Sequence, residues 1–405
     1  MVNQMVGSQS VEFQNAPRII SSASVVGPKE GEGPLGAAFD LVSDKAEFGE
    51  DTWEMAESTM QKEALQTALG KAGLEACQIR YLFGGDLLAQ LIATSFGNGE
   101  TDIPLFGLYG ACSTCGESLM LAAMAVSGGY ADYAAALTSS HFGSAEKEFR
   151  FPLGYGSQRP LSATWTVTGS GAFLLSARGG GTSGADVDNV GRTLLNKGRG
   201  PAPDGKKSVS SRGNQCSVGE EGSSDPVDAG RTAAKCKGFT QSAENGYGHV
   251  RVRGATPGKI VDMGVKDNMN MGACMAPAAG DTIYQNLTDF NFQPQDYDRI
   301  ITGDLGLIGR HILIDLMKEK GYDISAQHMD CGIEIYDREK QDTHAGGSGC
   351  GCSAVVLSAM ILPKLESGEW KRVLFVPTGA LLSKVSFNEG QPVPGIAHAV
   401  ILEHV

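Results

Sequence analysis

The chain has 405 residues, of which 41% are hydrophobic and 20% charged, with a formal net charge of −13. That apolar content excludes wholesale disorder, the acidic balance argues against a general nucleic-acid binder, and no run approaches the ~18 uninterrupted apolar residues of a membrane span. The first residues, 1–14, carry no apolar h-region, so no secretory signal is expected. Gly is the outlier at 55 residues, roughly twice its usual ~7% share.

Short apolar strands alternate with amphipathic helices outside residues 179–258, which is the pattern of an α/β protein. In chain order the sequence predicts a helix over 53–72 and a strand over 79–86 that ends in Gly85-Asp86. A helix over 113–127 is opened by Gly110-Ala111-Cys112, and a strand over 133–137 runs into Thr138-Ser139-Ser140-His141. Later come a strand over 299–304 ending in Gly303-Asp304, a helix over 353–365, and a strand over 372–376 leading to Thr378. The intervening window, 179–258, holds 17 of the Gly residues and few large apolar ones, so it is expected to be a mobile insertion. It contains a GxGxxG (Gly179 to Gly184), but no apolar helix follows, so a dinucleotide site is not expected.

Nine Cys, an odd number without a signal peptide, point to reduced thiols rather than a disulfide framework. Two tight groups, Cys112/Cys115 and Cys350/Cys352, are poorly spaced for zinc, because one residue separates the second pair and each group opens a helical pattern.

The predicted elements repeat. Gly85-Asp86-Leu87 matches Gly303-Asp304-Leu305 at an offset of 218, while Cys112-Ser113, Ser127-Gly128 and Thr138 match Cys352-Ser353, Ser367-Gly368 and Thr378 at an offset of 240. The sequence therefore predicts a duplicated α/β unit: a first half over 1–178, the Gly-rich insertion over 179–258, and a second half over 259–405.

A Cys at a strand-to-helix turn in the first of two related halves resembles the thiolase fold. More narrowly, the chain resembles the stage V sporulation protein AD family, through runs that include Gly27-Pro-Lys-Glu, Gly84-Gly-Asp-Leu-Leu and Gly110-Ala-Cys-Ser-Thr. Phe149-Arg-Phe-Pro, Thr166-Val-Thr-Gly-Ser-Gly-Ala, Met275-Ala-Pro-Ala-Ala, Ala345-Gly-Gly-Ser-Gly-Cys, Thr378-Gly-Ala-Leu-Leu-Ser and Ile396-Ala-His-Ala-Val extend the match to the C-terminus. No counterpart is expected for about 180–247. The resemblance implies two mixed-sheet halves in an α/β/α/β/α layering and a homodimer. It also implies binding of dipicolinic acid (pyridine-2,6-dicarboxylate), free or as its calcium chelate, for uptake into the developing spore. Membrane proteins of the dipicolinate-transport complex are the implied partners, at the inner membrane of that spore, from the cytoplasmic side. No cofactor is implied beyond Ca²⁺ carried by the ligand.

In enzymes of this fold the Cys accepts an acyl group, with basic partners from the second half; their positions are taken here by Asp304 and Ser348. Neither supplies the general base or the oxyanion donors of a condensing enzyme, so binding without catalysis is expected. The alternative is a Cys112-dependent acyltransferase or condensing enzyme, for which His344 is the remaining base nearby. The helix N-terminus at Cys112 is expected both to lower the thiol pKa and to favour an anion. For a dicarboxylate, His141, Arg150 and Arg159 are candidate cations, and Ser139, Ser140, Gly347, Ser348 and Gly349 candidate donors. Asp86 and Asp304 either hold a ligand-borne cation or brace the Gly turns. Cys352 and Cys331 are expected in the packing.

Overall fold

The computed structural model describes residues 4–149, 159–177 and 248–405. In the first half, strands β1 (Arg18–Val26), β2 (Tyr81–Gly85), β3 (Leu105–Gly107), β4 (Tyr133–Ser140) and β5 (Gly169–Ser176) form a mixed sheet in the order β1-β5-β4-β2-β3. In the second, β6 (Val250–Thr256), β7 (Arg299–Thr302), β8 (His328–Asp330), β9 (Arg372–Val376) and β10 (Ala399–His404) take the corresponding order β6-β10-β9-β7-β8. Pairing directions correspond as well. The β2–β4 and β7–β9 pairs are parallel, whereas β5 and β10 run antiparallel to both their neighbours. The duplication expected from the 218- and 240-residue offsets is thus the duplication of the sheet, and the halves meet where Arg18 of β1 pairs Arg251 of β6. Strand β6, which precedes residue 259, pairs β10 along its length. Most of the expected insertion lies outside the described residues.

Helices α1 (Trp53–Ala72) and α2 (Ile92–Asn98) belong to the first half, as does α3 (Thr114–Ser127), and α4 (Phe142–Phe149) follows β4. In the second half come α5 (Met271–Phe290) and α6 (Gly306–Glu319); α7 starts at Cys350–Val356 and continues through a π-turn, Leu357–Ile361, into Leu362–Glu366. Helix α1 covers the outer face of the first sheet, and α5 packs with α6 in a separate apolar core on the second. Helices α3 and α7 lie between the sheets, in the largest core. This is the expected five-layer arrangement.

Strands buried on both faces need no polar alternation, which is why β5 reads Gly-Ser-Gly-Ala-Phe-Leu-Leu-Ser with every residue buried. Its Gly171 is required by the close approach of α7, since a Cβ there would lie 2.7 Å from the Ala354 Cβ. Among the described cysteines, Cys112, Cys115, Cys274, Cys331, Cys350 and Cys352 are free and buried.

Candidate functional site

The two central helices bring their N-termini to one pocket. It is narrow, partly open to solvent, and lined by Leu87, Tyr109, Ala111, Cys112, Ala145, Phe149, Thr166, Met271, Ser348, Ala380 and Leu382. Cys112 stands two residues ahead of α3, after Ala111 in the left-handed region at φ 50°. The turn is closed by the Ser113 and Thr114 hydroxyls, which donate to the carbonyls of Gly110 and Ala111.

Behind Cys112 lies Asp304, fully buried just beyond the end of β7. One carboxylate oxygen accepts from the Gly349 N–H at 2.9 Å and the other from the Thr378 hydroxyl at 2.7 Å. Gly349 can present its N–H because it sits at φ 106°, where a Cβ would lie 2.4 Å from Ser140 Oγ. Burial pushes the Asp304 carboxyl up to about 7, against the pull of the Gly349 and Thr378 donors. The Cys112 thiol is pushed well above its ordinary range by burial first, then by the Asp304 charge. The expectation of a lowered thiol pKa is therefore overturned, because desolvation and a carboxylate neighbour outweigh the helix terminus. Asp304 is likewise not an ordinary anion at neutral pH.

Cys112 and Ser348 line the pocket, and Gly347–Ser348 reaches it as a short strand paired with Trp165–Thr166. Gly349 and Ser140 brace the turn; Ser140 Oγ accepts from the Gly351 N–H and donates to the Val167 carbonyl. The other expected residues gather elsewhere. Asp86 accepts from the Leu88 and Thr94 N–H groups and from the Thr94 hydroxyl, all at 2.6–2.8 Å, so it serves its own turn. Ser139 donates to buried Glu57 and accepts from Gln61. His141 Nδ1 accepts from the Gly143 N–H while Nε2 lies 2.8 Å from the Ala46 carbonyl, and burial lowers its pKa, so it is a neutral cap rather than a cation. Arg159 is held over the Trp165 ring at 4.7 Å and bonded to the Asp342 carbonyl. His344 turns to the Pro160 carbonyl and to Asp342. Arg150 lies outside the described residues. Cys331 and Cys352 are fully buried, as expected.

Sequence reasoning missed Cys350, which opens α7, is buried beside Cys112 and points its Sγ at the Ser139 carbonyl. It also missed the apolar wall. Leu87, Phe149, Thr166, Ala380 and Leu382 fall within the runs that carry the family resemblance, and that coincidence was the available signal.

The family model for stage V sporulation protein AD matches residues 7–194 and 220–403. The chain belongs to the stage V sporulation protein AD family. Stage V sporulation protein AD of Bacillus subtilis (strain 168) is 36% identical over 400 residues, covering 99% of this chain and 98% of that protein. The internal gap in the family match, 195–219, is narrower than the 180–247 expected from sequence. Among solved structures, AbyA1, a tetronic acid condensing enzyme, covers 95% of this chain and 99% of its own at TM-score 0.51 and 15% identity. An OleA variant from Xanthomonas campestris covers 97% and 99% at TM-score 0.50 and 12% identity. These likenesses show the thiolase-like α/β fold. Family membership places the chain in a sporulation-related role. Among the described residues, no helix is long and apolar enough to cross a membrane.

Proposed function

We propose that the chain binds dipicolinic acid without transforming it, for uptake into the developing spore, in the pocket over Cys112. The observation that carries this is Asp304, buried where a basic partner would stand and bonded to the Gly349 N–H and the Thr378 hydroxyl, with its charge raising the Cys112 thiol. A carboxylate beside the thiol disfavours the thiolate that acyl transfer requires, whereas a basic partner would favour it. What remains is a slot with apolar walls (Leu87, Phe149, Met271, Leu382) and a hydroxyl donor from Ser348, suited to a flat ring carrying oxygen acceptors. The described lining carries no cationic side chain, which favours a ligand whose charge is neutralised, as in the calcium chelate. Arg150, next in sequence to lining residue Phe149, is the proposed cation for the free dianion.

The same proposal includes a homodimer and docking to membrane proteins at the spore's inner membrane. Support for the first is β3, which ends the sheet order and leaves Leu105 and Phe106 exposed. Support for the second is a set of exposed apolar side chains, Leu161, Ile260, Met263 and Val385, on segments leading to or from pocket residues.

Calorimetric titration of dipicolinate into the full chain, with and without Ca²⁺, tests the function. The expected result is saturable binding that Ala145→Trp abolishes by filling the slot. Arg150→Ala is expected to weaken the calcium-free ligand by on the order of 1.5–3 kcal/mol. Binding that survives Ala145→Trp unchanged contradicts the proposed location, and an acyl adduct on Cys112 after incubation with acyl-CoA favours the condensing-enzyme alternative.

A further inference from the structure

Resting on the binding function proposed above, we infer that occupation of the pocket by an unchelated dicarboxylate is coupled to proton uptake at Asp304. Asp304 lies directly behind Cys112 and is fully buried, so its ionised form is not screened by water. The groups that face it come from four elements. The turn before α3 supplies the Cys112 thiol, and α7 with its preceding turn supplies the Gly349 N–H and the thiols of Cys350 and Cys352. The end of β8 supplies Asp330 with the adjacent Cys331, and the segment after β9 supplies the Thr378 hydroxyl. Among these described groups every one is neutral or acidic.

An ionised Asp304 therefore puts negative charge behind the turns that carry lining residues Cys112 and Ser348, in a pocket that is to hold a dianion. Two donors, the Gly349 N–H and the Thr378 hydroxyl, keep that ionised form accessible in the empty protein. An arriving carboxylate tips the balance the other way, and a proton taken from solvent onto Asp304 removes the repulsion. The carboxyl's elevated pKa, about 7, places this exchange where a modest change of pH shifts it. Any ligand that prefers the protonated form must by linkage raise that pKa further.

The test is titration of dipicolinate, in the presence of a calcium chelator, into full-length wild type and Asp304→Asn between about pH 6 and about pH 8.5. Both ligand carboxyls stay ionised throughout that interval. Repeating the wild-type titration in buffers of different ionisation enthalpy counts the protons taken up, whether or not the variant folds. The expected result is net proton uptake near neutrality and a wild-type Kd that rises with pH by up to about tenfold per unit. Asp304→Asn, verified as folded by its thermal transition, is expected to show a flat profile and to bind more tightly than wild type at the alkaline end. Wild-type affinity that ignores pH, binding without proton uptake, or an Asp304→Asn profile as steep as wild type overturns the inference while leaving dipicolinate binding intact. Absence of binding by folded wild type at every pH overturns the binding function, and the inference with it.

Discussion

Asp86 and Asp304 occupy equivalent places, each in a Gly-Asp-Leu at the end of a strand in the same position of its sheet, yet they face different ways. Asp86 spends both oxygens on its own half, bonding Leu88 and Thr94 and so fixing the chain as it enters α2. In the second half the corresponding support comes from a different strand. Asp330, at the end of β8, accepts from the N–H groups of Leu305 and Gly306 at the start of α6 and from the Thr302 hydroxyl. With that role filled, Asp304 bonds Gly349 and Thr378 and sets its charge beside the Cys112 thiol of the other half. Duplication has left one copy of the motif structural and turned the other toward the pocket.

The comparison can be broken at several points. Asp86→Ala orphans three buried donors and is expected to lose about 3 kcal/mol or more of stability, read by urea unfolding, with dipicolinate binding retained by the folded fraction. A binding defect without instability would show that the two aspartates are not divided in this way. Arg159→Ala removes a buried cation from the Trp165 ring and from the Asp342 carbonyl. It should cost on the order of 2 kcal/mol of stability with ligand affinity unchanged; a loss of affinity instead would return Arg159 to the site. Thr378→Val should cost about 1–2 kcal/mol and move any pH dependence that comes from Asp304 to higher pH, because one stabiliser of the anion is gone.

A pH-dependent effect concerns Glu57, fully buried with the Ser139 and Ser144 hydroxyls as donors and raised by burial and then by the Asp86 charge. Its folded pKa lies above its unfolded one, so the folded state binds the extra proton and stability falls as pH climbs between the two. Glu57→Gln should therefore gain in Tm relative to wild type between about pH 5 and about pH 8. Parallel Tm profiles for the two proteins would contradict this.

Local signals made the elements legible. The helix predicted over 53–72 is Trp53–Ala72, because Thr52 caps one end by accepting from the Met55 N–H and Gly73 closes the other at φ 64°. Strand β4 runs three residues past its predicted end because the polar Thr138, Ser139 and Ser140 stay buried, paired to Gly171, Ser170 and Gly169 of β5. The site was legible only in part. Cys112 and Ser348 announced themselves through a helix-opening turn and a Gly-rich turn, but the partners of Asp304 lie 45 and 74 residues away in sequence. His141 has the chemistry of a ligand cation in sequence, and only the fold shows both its nitrogens engaged by backbone.

The rate of Cys112 alkylation by iodoacetamide as a function of pH, in wild type and Asp304→Asn, tests most directly that this thiol is buried beside a carboxylate instead of serving as a nucleophile. The prediction is slow alkylation with a midpoint well above the ordinary thiol pKa of ~8.5, and a rate at least about tenfold higher in Asp304→Asn, as one unit of pKa dictates. Rapid wild-type alkylation at neutral pH, unchanged by the substitution, would contradict it.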